Sequence, residues 1–556
     1  MSQAGGATLP TIGLFQHLSR GTGVVVGREV AVDDFTEALL RYGERHRYAL
    51  YGHVRQLPQL ARKVADHPSR ASVHDRRELA SPDGLQLTAW HDPQFETYTP
   101  FVLRARSQAV WPITILHHTL SYKELLHDRV LPLLLARPHA YDAVVTTSSA
   151  AEETLRRLID HVARGLNAEH GTALEYRGRY VRIPLGVDTE RFRPGDRAAA
   201  RARFDIDPGA FVLLWVGRLS ALDKADLLPL IQCFAELVSA NAGRKLLLIC
   251  AGSDRPGDRF GAMVAELASH LGVTGAVLVM ADDARVTRWK EQLYVAADVF
   301  VSPVDNVQES FGLTPIEAMA CGIPQVVSDW DGYRDSVVHG ETGFLVPTVW
   351  ADCQNEVSAG AFVTESAYDH LALSQSVVVD MRALSRCVQQ LLDEPALRES
   401  MASRSRRRAE ERYSWPVVVR SYEALWSELA EQARHAPEPA RDASRYAAPD
   451  YGRFFRHFAS HQFDEGTTLR LTERGREVVR QRAGVPRDYI DVWQHLDPAL
   501  LDRVLAGLSL ADEKGSALTV GRILSVMTRS DATAIARDVI LRHVLFLMKY
   551  GLAREG

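Results

Sequence analysis

Glu309 and Glu317 bracket the run Glu309-Ser-Phe-Gly-Leu-Thr-Pro-Ile-Glu317, which directly follows the apolar stretch Val299-Phe-Val-Ser302. The pattern reads as strand, loop and helix start, the place where a parallel sheet binds its ligands. Gly312 lets the backbone approach a ligand closely, and the N–H groups of the first helical turn, around Gly312 and Leu313, face a phosphate there. Upstream, the apolar run Phe211-Val-Leu-Leu-Trp-Val216 leads into Gly217-Arg218-Leu219-Ser220-Ala-Leu-Asp-Lys224. Arg218 and Lys224 on that loop could clamp a diphosphate from the opposite side with charge-assisted hydrogen bonds. Each feature also has a structural reading. Thr314, Pro315 and Glu317 spell a helix capping box with proline at the first helical position. Either cation alone could be a solvated loop residue. All of them in this order on one sheet favour a binding site.

Such a site needs a doubly wound frame, and the chain has the patterning for two. Ile113–Leu116 and Ala143–Thr147 read as buried strands in the first third, and Asp34–Arg45 and Ala150–Ala163 as helices. A turn-like break at Ile183-Pro-Leu-Gly-Val-Asp-Thr-Glu-Arg-Phe-Arg-Pro194 closes a first domain, residues 1–194. Beyond it, Phe211–Val216, Lys245–Cys250, Ala276–Met280, Val299–Ser302 and Gln325–Ser328 alternate with helical stretches 227–240, 260–271 and 288–297. Apolar runs alternating with helical periodicity indicate βαβ units on a parallel sheet. Residues 350–375 fit no regular element and read as an insertion. Helices follow over 381–392, 395–411 and 415–433, so the second domain is set at 195–412 and a further helix at 413–434. Residues 435–450 have linker composition. Residues 451–556 read as a mainly helical module, with amphipathic stretches at 468–479 and 540–550; Leu541, Val544, Leu545 and Met548 fall on one stripe of the latter.

The bulk properties fit this picture. A chain of 556 residues exceeds what one core supports, and 46% hydrophobic with 24% charged residues is ordinary for a globular protein. A net charge of −5 gives no reason to expect nucleic acid as a partner. In the module, Arg470, Arg474, Arg476, Arg480 and Arg482 are interleaved with Glu473 and Glu477. Five scattered cysteines without a CxxC pair argue against structural zinc or a disulfide framework. The N-terminal residues lack the pattern of a signal peptide, and no run is long enough for a membrane span. A cytoplasmic location is therefore expected, with room left for peripheral membrane contact and for a homo-oligomer through 451–556.

Taken together, Val216-Gly-Arg-Leu-Ser220, Lys224, Ala251-Gly-Ser253, Ala297-Asp-Val299, Glu309–Pro324 and Gly340-Glu-Thr-Gly-Phe-Leu-Val346 resemble the retaining GT-B glycosyltransferases of family 4, the glycosyl transferases group 1. The E-x7-E spacing is that of Glu309 and Glu317. The likeness is strongest over about 210–348, continues more weakly through 183–192 and Tyr413-Ser-Trp415, and does not cover 451–556. It implies two Rossmann-like domains facing a cleft, with helix 413–434 crossing back to the first. It further implies that Arg218 and Lys224 neutralise the diphosphate of a nucleotide sugar, aided by amides near Gly312 and Leu313. Glu317 would hold the ribose hydroxyls and Glu309 the hydroxyls of the transferred sugar. The family also supplies a histidine after a strand of domain one. In Ile115-Leu-His117-His118-Thr-Leu-Ser121 the matching residue is His118, with His117 in reserve.

The first loop departs from the family: Ser19-Arg-Gly-Thr-Gly23 is the nearest equivalent of its glycine-rich turn. Asp329-Trp-Asp331 has the D-x-D form that binds metal in the other glycosyltransferase fold, but here it follows a strand and reads as loop structure. No metal and no cofactor are expected. The donor is a co-substrate, the acceptor is open, and the anomeric configuration would be retained. A GT-B epimerase and a non-catalytic sugar-nucleotide-binding scaffold are the alternatives.

Overall fold

The computed structural model describes residues 9–16, 27–82, 85–255, 257–436, 449–462, 464–481, 483, 495–527 and 536–556, the side chains of 27–30 excepted. Contacts divide the chain into two compact units, 1–446 and 447–556. The glycine-rich stretch Ser19–Gly23 lies outside the described residues.

The first unit holds two parallel sheets. In the first, β1 (Thr11–Phe15), β2 (Arg47–Gly52), β3 (Ala71–Asp75), β4 (Ala89–Asp92), β5 (Ile113–Leu116), β6 (Ala143–Thr146) and β7 (Arg179–Arg182) lie in the order β3-β2-β1-β4-β5-β6-β7. Five of these strands left no clear pattern in the sequence. They are four to six residues long, and several carry polar or charged residues, such as His91 and Asp92 in β4. The helix Ser149–His170 starts where the Ser148 hydroxyl accepts the Ala151 amide at 3.1 Å and stops at Gly171. Its residues Ala151, Leu155, Ile159 and Ala163, four apart, are buried against Trp90, Ile113 and Ile115.

The opposite face of this sheet is covered by the helix Trp415–Arg434, which returns from the second sheet. Val418, Tyr422 and Trp426 pack on Ile12, Leu14 and Phe35, each fully buried side chain contributing roughly 1.5–3 kcal/mol. Glu423 on the same helix is 1% exposed and accepts from the amides of Glu44 and Arg45 at 3.0 and 2.8 Å and from the Tyr48 hydroxyl at 3.1 Å. A buried carboxylate whose Oε1 collects three donors from the first domain fixes where the helix lands.

In the second sheet β8 (Phe211–Val216), β9 (Leu246–Gly252), β10 (Val277–Ala281), β11 (Val299–Ser302), β12 (Gln325–Ser328) and β13 (Gly343–Val346) take the order β10-β9-β8-β11-β12-β13. Strand order reverses between β8 and β11. The loops after those two strands therefore diverge and leave a crevice at the carboxyl ends, the switch point where open α/β sheets bind ligands.

Two sequence expectations need correction. Residues 350–375 are not irregular: they form the helices Asn355–Gly360 and Ser366–Ser374, each too short to leave a readable helical period. In the second unit, Thr468–Leu471 is a strand rather than the start of a helix, which begins only at Glu473. That strand is the middle of a three-stranded antiparallel sheet, between Leu518–Thr519 and Ala553–Glu555. Helices Pro498–Glu513, Val520–Met527 and Arg537–Lys549 accompany it, and Leu469, Leu501, Val504, Ile540 and Val544 give the unit its own core. The buried stripe of the last helix is Ile540, His543, Val544 and Leu547; Leu545, placed on it from the sequence, is 47% exposed.

Candidate active site

The switch point gathers the residues singled out in the sequence. The loop after β8 carries Arg218 and Lys224, and the loop after β11 carries Glu309 and Gly312. A Cβ on Gly252 would sit 1.7 Å from the Gly217 carbonyl oxygen, so the end of β9 and the loop after β8 can meet only at glycine. Asn306, fully buried, ties the two loops together. Its side-chain amide donates to the Leu222 carbonyl at 3.1 Å, and its backbone carbonyl accepts from the Trp330 indole at 3.0 Å.

Within this frame Lys224 and Glu309 form an ion pair. Burial works against the charge on Lys224, but the Glu309 carboxylate and, after it, Tyr333 together outweigh it and hold the ammonium above the usual lysine range. Arg218 is paired locally, with Asp223. The helix Leu313–Ala320 begins at Gly312, whose φ of 87° is left-handed, and no side chain caps it. A Cβ at Gly312 would lie 2.3 Å from the Tyr333 ring, so both conformation and space require glycine there. The bare helix start and the Lys224 ammonium thus supply positive potential at one crevice.

Glu317 does not complete a capping box. The helix starts at Leu313, one residue before Thr314, which places Glu317 on its second turn. The carboxylate, 8% exposed, accepts from Lys290 Nζ at 2.6 Å and from the Tyr294 hydroxyl at 2.7 Å. Burial, and next the charge of Glu317, raises the Tyr294 hydroxyl far above the ordinary tyrosine range, so it stays a donor. Neither Lys290 nor Tyr294 belongs to the motif; both come from the helix Lys290–Ala296, and only a three-dimensional neighbour relation reveals them.

The two histidines after β5 are distinct. His117 is fully buried and its Nε2 accepts the Thr147 amide at 3.2 Å. Burial, followed by the neighbouring His118, pushes its pKa down to about 3, so it is a neutral core residue. His118 is half-buried, and its Nε2 lies 2.5 Å from the Pro93 carbonyl oxygen. A carbonyl only accepts, so Nε2 carries the proton. The His118 carbonyl in turn accepts from the Ser310 hydroxyl at 2.6 Å, linking domain one to the residue beside Glu309.

Asp329 pairs with Arg334 at 2.8 Å, the loop role expected of the D-x-D stretch. Among the described residues no group of three or more His, Cys, Asp or Glu is placed to hold a metal, and no helix is long and apolar enough to cross a membrane.

Comparison with known proteins places this geometry. The family model described as glycosyl transferases group 1 matches residues 210–357. A D-inositol 3-phosphate glycosyltransferase of Rhodococcus erythropolis is 38% identical over 165 residues, 30% of this chain and 36% of that protein. The enzyme of the same name from Mycolicibacterium gilvum is 32% identical over 306 residues, 50% of this chain and 67% of its own length. The chain thus spans well under half the length of several curated relatives that it matches. Among solved structures, Anabaena HepE in complex with UDP has a TM-score of 0.51 at 16% identity, covering 76% of this chain and 100% of that one. A glycosyltransferase from Rickettsia africae has a TM-score of 0.50 at 13% identity, covering 76% and 99%. The fold is GT-B, and the chain belongs to the glycosyl transferases group 1.

Proposed function

We propose that the chain transfers a hexose from a nucleotide-diphosphate sugar to a hydroxyl acceptor with retention of anomeric configuration. The observation that carries this reading is the Lys224–Glu309 pair lying beside the uncapped helix start at Gly312, at the switch point of the second sheet. A diphosphate entering the crevice meets Lys224, Arg218 and the amides of Gly312 and Leu313. These groups stabilise the negative charge that grows on the leaving diphosphate as the sugar–phosphate bond breaks. Glu317 takes the ribose hydroxyls. Glu309, tied to a cation, acts as a hydrogen-bond acceptor for the sugar rather than as a nucleophile, which suits substitution on one face of the ring. His118 closes the site from domain one, its Nε2–H held by the Pro93 carbonyl. Domain closure over the donor excludes water from the reaction.

The test is a panel of UDP-, GDP-, ADP- and dTDP-sugars assayed for thermal stabilisation, with D-inositol 3-phosphate, named for the relatives, as the first acceptor tried. One donor raising the melting temperature and yielding a glycoside of unchanged anomeric configuration is expected. No stabilisation by any of them would overturn the reading.

A further inference from the structure

The segment that follows β5 is held at successive positions by side chains of the second domain. The Ser310 hydroxyl donates to the His118 carbonyl at 2.6 Å. His370 Nε2 lies 3.2 Å from the Ser121 carbonyl, and its ring meets Tyr122 edge-on at 5.0 Å. The Gln308 side-chain amide donates to the Tyr122 hydroxyl at 3.0 Å. Lys123 pairs with Asp369 at 3.2 Å, and the Ser366 hydroxyl donates to Glu124 at 3.0 Å. Two sources supply these partners: the loop that carries Glu309, and the helix Ser366–Ser374 of the inserted segment. Ser310 is also bound through its own backbone, since the Ser148 hydroxyl donates to its carbonyl at 2.7 Å.

We infer that Ser310 and His370 are positioning residues: they fix the 118–124 segment, and with it His118, against the donor loop. This rests on the proposed role of His118, but the positioning itself can be measured apart from catalysis. A shift of the donor loop either carries the His118 carbonyl with it or breaks the Ser310 hydrogen bond. The insertion holds the far end of the same segment from an independent element, so the histidine is set from both ends of its loop. One hydrogen bond lost from such a seam changes a local opening equilibrium by about 5-fold, which corresponds to about 1 kcal/mol.

The test is amide hydrogen exchange of peptides covering 117–125 in the full chain, together with steady-state kinetics and calorimetric binding of the nucleoside diphosphate. Ser310→Ala should speed exchange in that segment by about 5-fold and lower kcat by a similar factor, with donor KM and nucleotide affinity unchanged. Ser310→Thr, which keeps the hydroxyl, should restore both. His370→Ala should speed exchange at 121–124 without touching the donor loop. Unaltered exchange in both alanine variants would overturn the inference, as would a loss of nucleotide affinity equal to the loss of kcat. Faster exchange in a protein that transfers no sugar would uphold the positioning and defeat the catalytic reading of His118 instead.

Discussion

Lys224 and Glu309, 85 residues apart in sequence, form one ion pair across the switch point of the second sheet. The pair joins two roles that the sequence assigned separately, a cation for the diphosphate and a carboxylate for the sugar. Each group is held in place by the other before any ligand arrives, so little reorganisation is left for the binding step. Both side chains are only partly exposed, so removing either member leaves the charge of the other poorly compensated.

Glu309→Gln keeps an acceptor for Lys224 and removes a negative charge near the diphosphate. Affinity for the free nucleoside diphosphate should hold or rise while kcat falls on the order of 100-fold, the scale of an interaction made mainly in the transition state. Titration calorimetry beside steady-state kinetics separates the two. Equal losses in both would place Glu309 on the nucleotide instead.

Glu317→Gln should act on binding. Lys290 and Tyr294 donate one to each carboxylate oxygen, so the carboxylate is not a cap. Glutamine, which turns an NH2 toward one of these donors, should also lower the melting temperature. Affinity for the nucleoside diphosphate should drop by about 10-fold, the worth of one charge-assisted hydrogen bond. A silent variant in both measurements would remove Glu317 from the site.

The adjacent histidines should separate by phenotype. His118→Ala should lower turnover by orders of magnitude and leave the melting temperature in place. His117→Ala opens a cavity and strips a partner from the Thr147 amide, so it should lower stability by about 1–3 kcal/mol. The reverse pattern would put the reacting edge one residue earlier than the present assignment.

How much of this was open to sequence reasoning differs by residue. Arg218, Lys224, Gly312 and Glu317 stood out because strand-to-loop junctions leave an apolar run followed by glycine and charge. His118 could be preferred over His117 only through the family motif, since both histidines end the same strand. The partners that hold these groups, Lys290, Tyr294, Asn306 and Ser310, were not legible. Their signal is spatial adjacency between distant loops, and single-residue chemistry does not encode it. The helices Asn355–Gly360 and Ser366–Ser374 were missed for a different reason. They are six and nine residues long, and the first buries no residue at all, so no amphipathic period develops. In Leu469 and Leu471 the alternation of a strand was present but merged with the helix that follows.

His91 gives a pH prediction with a definite sign. It is fully buried beside Thr114, and burial, followed by His118, pulls its pKa down to about 3, against 6.5 unperturbed. The unfolded chain therefore binds one more proton at this position between about pH 3 and 6.5, and its contribution to stability falls as pH drops through that window. Asp92 and Asp305, both raised to about 7 chiefly by burial, act in the opposite sense over much of the same range. The total pH profile is thus blunted, and the difference between variants isolates the histidine. His91→Gln should gain stability relative to the wild type by up to about 1.4 kcal/mol per pH unit below 6.5, read from urea unfolding. Parallel profiles would mean that His91 titrates normally in the folded protein.

The central claim is that the crevice between β8 and β11 binds the diphosphate of a nucleotide sugar, and Lys224 is its most direct probe. The decisive measurement is calorimetric titration of the preferred nucleoside diphosphate into the wild type and Lys224→Ala. Loss of one charge-assisted hydrogen bond to a diphosphate, about 1.5–3 kcal/mol, should weaken binding by about 10- to 100-fold. Wild-type affinity retained in a folded Lys224→Ala protein would contradict the assignment of the donor site.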